Sequence, residues 1–164
     1  MAEVGEVLRG VDSKDFWGNL ESVDNTNLRS VVDSLKNLSR KDGFDAHLVV
    51  VGGTVDPRRR GEPHKDIDLV LYSGDLAIEN NPSLGVKNFD KFEGFLNEAL
   101  GGLKWEKETI EPFWQDWDRS SDGSVTYKPK DGKPIEILPV RVDSLKGSFD
   151  EYLAGQNRPY SVIF

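Results

Sequence analysis

Two aspartates, Asp66 and Asp68, alternate with Ile67 and Leu69 where an apolar stretch of the chain begins. Side chains alternate faces along a β-strand, so residues two apart share a face at a separation of about 6.6 Å. In a strand the two aliphatic side chains therefore face the core, and both carboxylates project from the opposite side. Because like charges held side by side repel each other, a fold that fixes them there usually neutralises them with a cation. The segment predicts a strand that carries a divalent metal site.

A chain of 164 residues is long enough for one domain that buries about 70% of the surface its unfolded form exposes. We expect a single domain spanning residues 1–164, since no repeat or linker divides the sequence. The chain has no run near the roughly 18 apolar residues of a membrane span and no signal-peptide pattern, which predicts a soluble, cytoplasmic protein without membrane contact. With no cysteine and only two histidines there is little material for a zinc centre, and hard oxygen ligands suit Mg²⁺ or Mn²⁺.

The net charge of −8 argues against extended binding to a nucleic-acid backbone, because such binding depends on Lys and Arg that neutralise phosphates. A small or locally bound partner fits this composition better. One basic run departs from the acidic average: Arg58, Arg59 and Arg60 are followed by His64 and Lys65. This run lies between a glycine pair and the two aspartates.

Hydrophobic periodicity and turn residues predict an α/β (α+β) fold with a mixed sheet of about five strands and helices packed mainly on one face. Apolar residues at three-to-four spacing indicate helices, and short Val- and Ile-rich runs bounded by glycine indicate strands. Four helices are predicted: the first begins near Ser13, the second begins at Asn25 or Thr26 and ends before Asp42, the third covers 89–99, and the fourth covers 149–153. The predicted strands are Ala46–Val51, 67–72, 103–110, and the two arms Ser124–Lys128 and 134–140 of a hairpin around Asp131-Gly132, followed by a tail at 160–164.

The second arm of the hairpin carries Glu136 between Ile135 and Ile137. A carboxylate between two isoleucines is rarely there for packing, since ionised side chains are seldom buried without a partner. Glu136 is the predicted third acid of the site. Glu106 and Glu108 are the alternatives.

Three segments together resemble the signature of the DNA-polymerase-beta-like nucleotidyltransferase superfamily. Their order along the chain and their spacing both fit that family. The segments are Val51-Gly52-Gly53-Thr54, Lys65-Asp66-Ile67-Asp68-Leu69 and Ile135-Glu136-Ile137. The resemblance implies the nucleotidyltransferase fold, binding of a triphosphate by Gly52, Gly53 and Thr54, and a catalytic metal-binding triad of Asp66, Asp68 and Glu136.

Physical arguments agree with these implied roles. Glycines after a strand let the backbone approach a ligand and expose N–H groups, which makes an anion site, and Thr54 adds a hydroxyl. Mg²⁺ often bridges carboxylates to substrate phosphates, and two such ions about 4 Å apart stabilise the attacking and the leaving oxygen of an in-line displacement. Glu136 is a hypothetical acceptor for the proton of the incoming hydroxyl, with an aspartate or water as the alternatives.

The basic run supplies two further candidates, Arg60 and Lys65, which we predict to contact the phosphates of the nucleotide. Solvated charges are the competing interpretation for this loop. The roles of Arg58, Arg59, His64, Trp114 and Trp117 are left open.

The stretch from the glycine pair to Leu69 also resembles the head motif of CCA-adding enzymes and bacterial poly(A) polymerases, but it has Asp56-Pro57 where those enzymes carry an arginine-aspartate pair. Those enzymes use further helical domains to hold tRNA, for which we expect no room here. Partial similarity extends to abortive-infection toxin nucleotidyltransferases and to aminoglycoside and lincosamide nucleotidyltransferases.

The resemblance implies an enzyme that transfers a nucleoside monophosphate from an NTP, such as ATP, to an acceptor hydroxyl and releases pyrophosphate. The acceptor is left open among a small molecule, a protein and a tRNA end, as are the base preference and self-association. The alternative is a nucleotide-binding or protein-partner module of the same fold without turnover. The intact acid triad favours the enzyme.

Overall fold

A mixed β-sheet with helices on both faces forms the structure, a computed structural model that describes residues 10–56, 66–81, 85–114, 120–145 and 147–164. In chain order the helices are α1 (Ser13–Gly18), α2 (Ser22–Asp42), α3 (Phe89–Leu100) and α4 (Phe149–Ala154), with 3₁₀ turns at Gly101–Leu103 and Val142–Leu145. The strands are β1 (Ala46–Val51), β2 (Ile67–Ser73), β3 (Glu79–Asn81), β4 (Gly85–Lys87), β5 (Glu106–Ile110), β6 (Phe113–Trp114), β7 (Ser120–Ser121), β8 (Ser124–Lys128), β9 (Ile135–Pro139) and β10 (Tyr160–Val162).

Among the described residues, six strands form the main sheet in the order β10-β1-β2-β9-β8-β5. The pair β2 and β9 is parallel, and the other neighbours are antiparallel. Two short ribbons, β3-β4 and β6-β7, form separate two-stranded sheets. The predicted mixed α/β architecture is confirmed, with six strands in the main sheet where about five were predicted.

The long helices α2 and α3 cover one face of the sheet. Their apolar stripes, which include Leu35 on α2 and Phe92 on α3, join the inward side chains of β1, β2, β8 and β9 in one core cluster. Ile67 and Leu69 of β2 belong to this cluster and are fully buried. The aliphatic half of the alternating segment therefore faces the core, as predicted.

The opposite face of the sheet is covered in part by α4. Phe149 and Tyr152 of this helix pack on Tyr72, with ring centroids 5.0 Å and 4.7 Å away. Tyr72 lies near the C-terminal end of β2, whereas the aspartates lie at its N-terminal end. α4 therefore packs against the end of β2 that is remote from the acids.

The helix α2 starts earlier than the sequence pattern predicted, at Ser22 with Glu21 in the capping position. Both predicted caps lie inside it: the Asn25 side chain donates to the carbonyl of Trp17, and the Thr26 hydroxyl donates to the carbonyl of Ser22 one turn back. Their hydrogen bonds are made to other groups, so neither caps the helix.

The turn between β8 and β9 is fixed to the first turn of α2. The buried carboxylate of Asp24 accepts a hydrogen bond from the backbone N–H of Lys133 at 2.8 Å, and Asn27 donates to the carbonyl of Asp131 at 2.7 Å. Gly132 has a φ of 108° and lies against both side chains. This contact sets where β9 begins, and with it the position of Glu136.

None of the helices within the described ranges is long and apolar enough to cross a lipid bilayer.

Candidate functional site

The strand β2 places Asp66 and Asp68 on the face opposite the long helices. Asp66 directly precedes the strand, and Asp68 is its second residue. Ile67 between them is fully buried, while both aspartates keep partial contact with solvent. The two carboxylates are therefore accessible to a ligand from one side of the sheet.

The neighbouring parallel strand β9 brings Glu136 beside these aspartates, because Asp68 and Glu136 are register partners. Carboxylate oxygens of Asp66, Asp68 and Glu136 lie within 4.8 Å of one another. The structure thus brings the three predicted acids into one cluster, called the acid cluster below.

The two alternative third acids, Glu106 and Glu108, lie on β5. Two strand spacings, about 10 Å, separate that strand from β9. Glu108 is paired with Lys128 at 2.8 Å. Glu136, rather than either alternative, therefore lies with the aspartates.

The electrostatic state of Asp68 reflects this crowding of acids. The pKa of Asp68 is raised from 3.8 to about 6, mainly by burial and in addition by the charges of Glu136 and Asp66 and a hydrogen bond to Glu136. The charge of Arg158 acts in the opposite sense. A carboxylate so destabilised gains most from a cation held against it. The donor set, three hard oxygen ligands in one cluster, fits a divalent ion such as Mg²⁺ or Mn²⁺.

Ser124 is a contact of the acid cluster that the sequence analysis did not identify. Its hydroxyl donates to Oε2 of Glu136 at 2.8 Å, and the residue is 4% exposed. The hydrogen bond fixes one oxygen of Glu136. The Asp-Gly turn sets the hairpin register, which places Thr126 opposite Glu136 and Ser124 two residues away. The hairpin register could therefore have predicted that Ser124 lies near Glu136.

A glycine turn lies directly against the acids. Val51, the last residue of β1, pairs with Asp68, and Gly52 follows with a φ of 85°. A Cβ at Gly52 would lie 2.7 Å from Oδ2 of Asp68, so both the backbone conformation and the space require glycine. The N–H of Val55 donates to the carbonyl of Gly52 at 3.3 Å and closes the turn.

The rest of the predicted phosphate cradle, Gly53 and Thr54, lies within this turn. The Oγ1 of Thr54 is buried and has no hydrogen-bond partner within the described ranges. A buried hydroxyl without a partner carries a desolvation penalty that an anionic ligand at the turn would relieve.

The predicted phosphate contacts Arg60 and Lys65 lie outside the described residues. The same holds for Arg58, Arg59, His64 and Trp117, and for the side chain of Trp114. A different cation, Arg158, acts on Asp68. Sequence analysis did not single it out, because the pairing that brings it there joins residues more than a hundred positions apart.

Comparisons with known proteins do not establish a family for the chain. No protein-family profile matches it, and no curated protein sequence matches it significantly. Two solved complexes of a CCA-adding enzyme, with ATP and with CTP, are similar to it at TM-scores of 0.40 and 0.41 and sequence identities of 19% and 18%. Each match covers 80% of this chain and 24% of the solved chain, so the protein spans about a quarter of the length of the structures it matches. Similarity at this level carries no argument about function.

Proposed function

We propose that this protein is a metal-dependent nucleotidyltransferase. It transfers a nucleoside monophosphate from an NTP to an acceptor hydroxyl and releases pyrophosphate. The observation that carries the proposal is the acid cluster of Asp66, Asp68 and Glu136 against the turn at Gly52, with carboxylate oxygens within 4.8 Å of one another. Cation ligands and an anion cradle side by side are the two halves of a site for a metal-bound triphosphate.

Asp66, Asp68 and Glu136 would hold the divalent ion. When bound, Mg²⁺ or Mn²⁺ neutralises phosphate charge and stabilises the attacking and leaving oxygens of phosphoryl transfer. Asp68, whose pKa lies near 6 without a cation, becomes a full carboxylate ligand when that charge is supplied.

The residues of the chain do the positioning. The turn at Gly52, Gly53 and Thr54 holds the triphosphate by backbone N–H groups and by the buried hydroxyl, which lacks a described protein partner. Glu136, held by Ser124 through one oxygen, takes the proton of the acceptor hydroxyl with the other. The acceptor oxygen forms a bond to the α-phosphorus, and the bond from that phosphorus to the bridging oxygen of the β-phosphate breaks. Pyrophosphate leaves with the electron pair.

Charge limits the acceptor. With a net charge of −8, we infer a small molecule, a protein side chain or a locally bound RNA end such as that of tRNA, rather than an extended nucleic acid. One domain is enough for this chemistry, and we place the enzyme in the cytoplasm. Base preference and oligomeric state are outcomes for experiment.

The test incubates the protein with each labelled NTP, Mg²⁺ and a cell extract, and measures pyrophosphate and the species that acquires the label. We expect release that requires the divalent ion and falls at least about 100-fold in Glu136→Gln. Glu108→Gln is the matched control, since it removes a carboxylate two strands from the cluster.

Two results count against the proposal. Equal activity of the Glu136→Gln and parent proteins would show that the acid cluster takes no part in the reaction. Binding of Mg²⁺–NTP without pyrophosphate release under any acceptor condition identifies a nucleotide-binding module instead.

A further inference from the structure

Arg158 lies beside the glycine turn, on the side of β10 and opposite β2. Strand β10 runs antiparallel to β1 with Tyr160 opposite Val51, so the residues before Tyr160 run beside the residues after Val51. Those following residues are the glycine turn. Val51 pairs with Asp68 on its other side. The turn is thus bordered by an acid on the β2 side and by Arg158 on the β10 side.

The charge of Arg158 acts on the face of the sheet that carries the acids. Arg158 lies at a bend two residues before Tyr160, and the buried Pro159 joins this bend to β10. Tyr160 packs in the cluster on the α4 face. Burial raises the pKa of both Asp68 and Tyr152, which lie on that face, and the charge of Arg158 opposes the rise at each.

Arg158 is exposed, and no hydrogen bond or ion pair joins it to another residue of the described ranges. Two other arginines have structural partners: Arg141 donates to Asp122 at 2.6 Å, and Arg29 lies over the ring of Trp17 at 4.3 Å. The guanidinium of Arg158 therefore keeps its donors for a ligand.

The role of Arg158 is not explained by neutralisation of the charge of Asp68. With Arg158 present, the pKa of Asp68 is still raised to about 6 by burial and by the neighbouring acids. An exposed charge that is not in contact is largely screened by water. A ligand that spans the glycine turn brings its own negative charge within direct reach.

We propose that Arg158 binds the β- and γ-phosphates of the NTP and the pyrophosphate that leaves. The inference rests on the proposed nucleotidyltransferase function. In that reaction the α-phosphorus must lie at the acid cluster, where the acceptor attacks, so the outer phosphates extend across the turn toward β10. A planar guanidinium with two parallel donors matches the oxygens of these phosphates.

The experiment measures dissociation constants by calorimetry for Mg²⁺–ATP, Mg²⁺–tripolyphosphate and AMP, with the parent chain and three variants. Arg158→Ala is expected to weaken ATP and tripolyphosphate binding about tenfold and to change AMP binding less than twofold. Arg158→Lys is expected to retain part of the affinity, because it keeps the charge without the fork. Arg40→Ala, at an exposed position near the C-terminal end of α2, is the control and should bind like the parent.

The outcomes separate the inference from the function on which it rests. If Arg158→Ala binds tripolyphosphate as tightly as the parent, or loses AMP and ATP affinity equally, Arg158 does not contact the outer phosphates while the enzyme proposal stands. If the parent binds no Mg²⁺–ATP, both proposals fall. Thermal melting of each variant checks that the exposed substitutions leave the fold intact.

Discussion

Replacing Asp68 with asparagine is expected to stabilise the metal-free protein at pH 8. Asp68 is surrounded by groups that oppose its charge: burial, Glu136 and Asp66 together raise its pKa from 3.8 to about 6. Asparagine has nearly the same shape and carries no charge. The substitution therefore removes repulsion while leaving the packing of β2 in place.

The direction with pH follows from the proton balance. A folded-state pKa above the unfolded value means that the native protein holds the proton more tightly, so the contribution of Asp68 to stability declines as pH rises from about 4 to about 6. Each pH unit of this displacement corresponds to about 1.4 kcal/mol, which gives an upper bound of about 3 kcal/mol. Because the side chain keeps some contact with solvent, we expect about 1–2 kcal/mol, or a rise in Tm of about 3–6 °C.

Thermal melting of the parent, Asp68→Asn and Asp33→Asn in EDTA at pH 4.5 and pH 8 measures this effect. Asp33 is an exposed acid on α2, and its variant controls for loss of a negative charge in general. The advantage of Asp68→Asn should be present at pH 8 and small at pH 4.5. A variant that melts at or below the parent temperature at pH 8 refutes the electrostatic reasoning. Added Mg²⁺ should raise the Tm of the parent and not that of Asp68→Asn, since only a ligand of the native state stabilises it.

Three further substitutions test the geometry around the site. Gly52→Ala should lower the free energy of unfolding by about 1–3 kcal/mol and weaken Mg²⁺–ATP binding, because Gly52 has a φ of 85° and contacts the acid cluster. The control Gly94→Ala lies in open space on α3 and should instead stabilise the protein by about 0.5–1 kcal/mol. Equal effects of the two variants in denaturant titrations would argue against strain at the turn. Ser124→Ala should slow pyrophosphate release by freeing Glu136 with little change in ATP affinity, and an unchanged rate would exclude a positioning role. Asp24→Ala should lower the unfolding free energy by about 1–3 kcal/mol, since it leaves the turn N–H unpaired; a stability equal to that of the parent would show that the turn is not held there.

The elements that the sequence predicted well are those with a local signal. The strand Ala46–Val51 has the predicted bounds, because its apolar run stops at Gly52 and Gly53, where the strand ends. The hairpin around Asp131-Gly132 has antiparallel arms as predicted, since the Asp-Gly turn sets both pairing and register. The proximity of Glu136 to the aspartates follows from that register once β9 pairs with β2. The catalytic and metal-binding roles of these acids stay predictions.

The features that sequence analysis missed depend on distant contacts. The tail at 160–164 carried no signal for its partner, so the pairing of Tyr160 with Val51, and with it the place of Arg158, required the structure. The start of α2 was misplaced because Asn25 donates to the carbonyl of Trp17 rather than capping the helix. In both cases the deciding hydrogen bond joins segments that sequence periodicity treats separately.

The two-residue period of β2 determines both the core and the site. Ile67 and Leu69 lie in the apolar cluster beneath α2 and α3, and the same alternation sends Asp66 and Asp68 to the other face. The long helices α2 and α3 bury the face that carries Ile67 and Leu69. The apolar packing on that face offsets the repulsion among the acids without contacting the acids themselves. The second face is packed by α4 at the far end of β2, around Tyr72, so apolar burial there does not compete with ligand access to the acids. A sheet packed in this way tolerates a cluster of like charges that is destabilising without a cation, which is the physical requirement for the proposed site of metal and triphosphate.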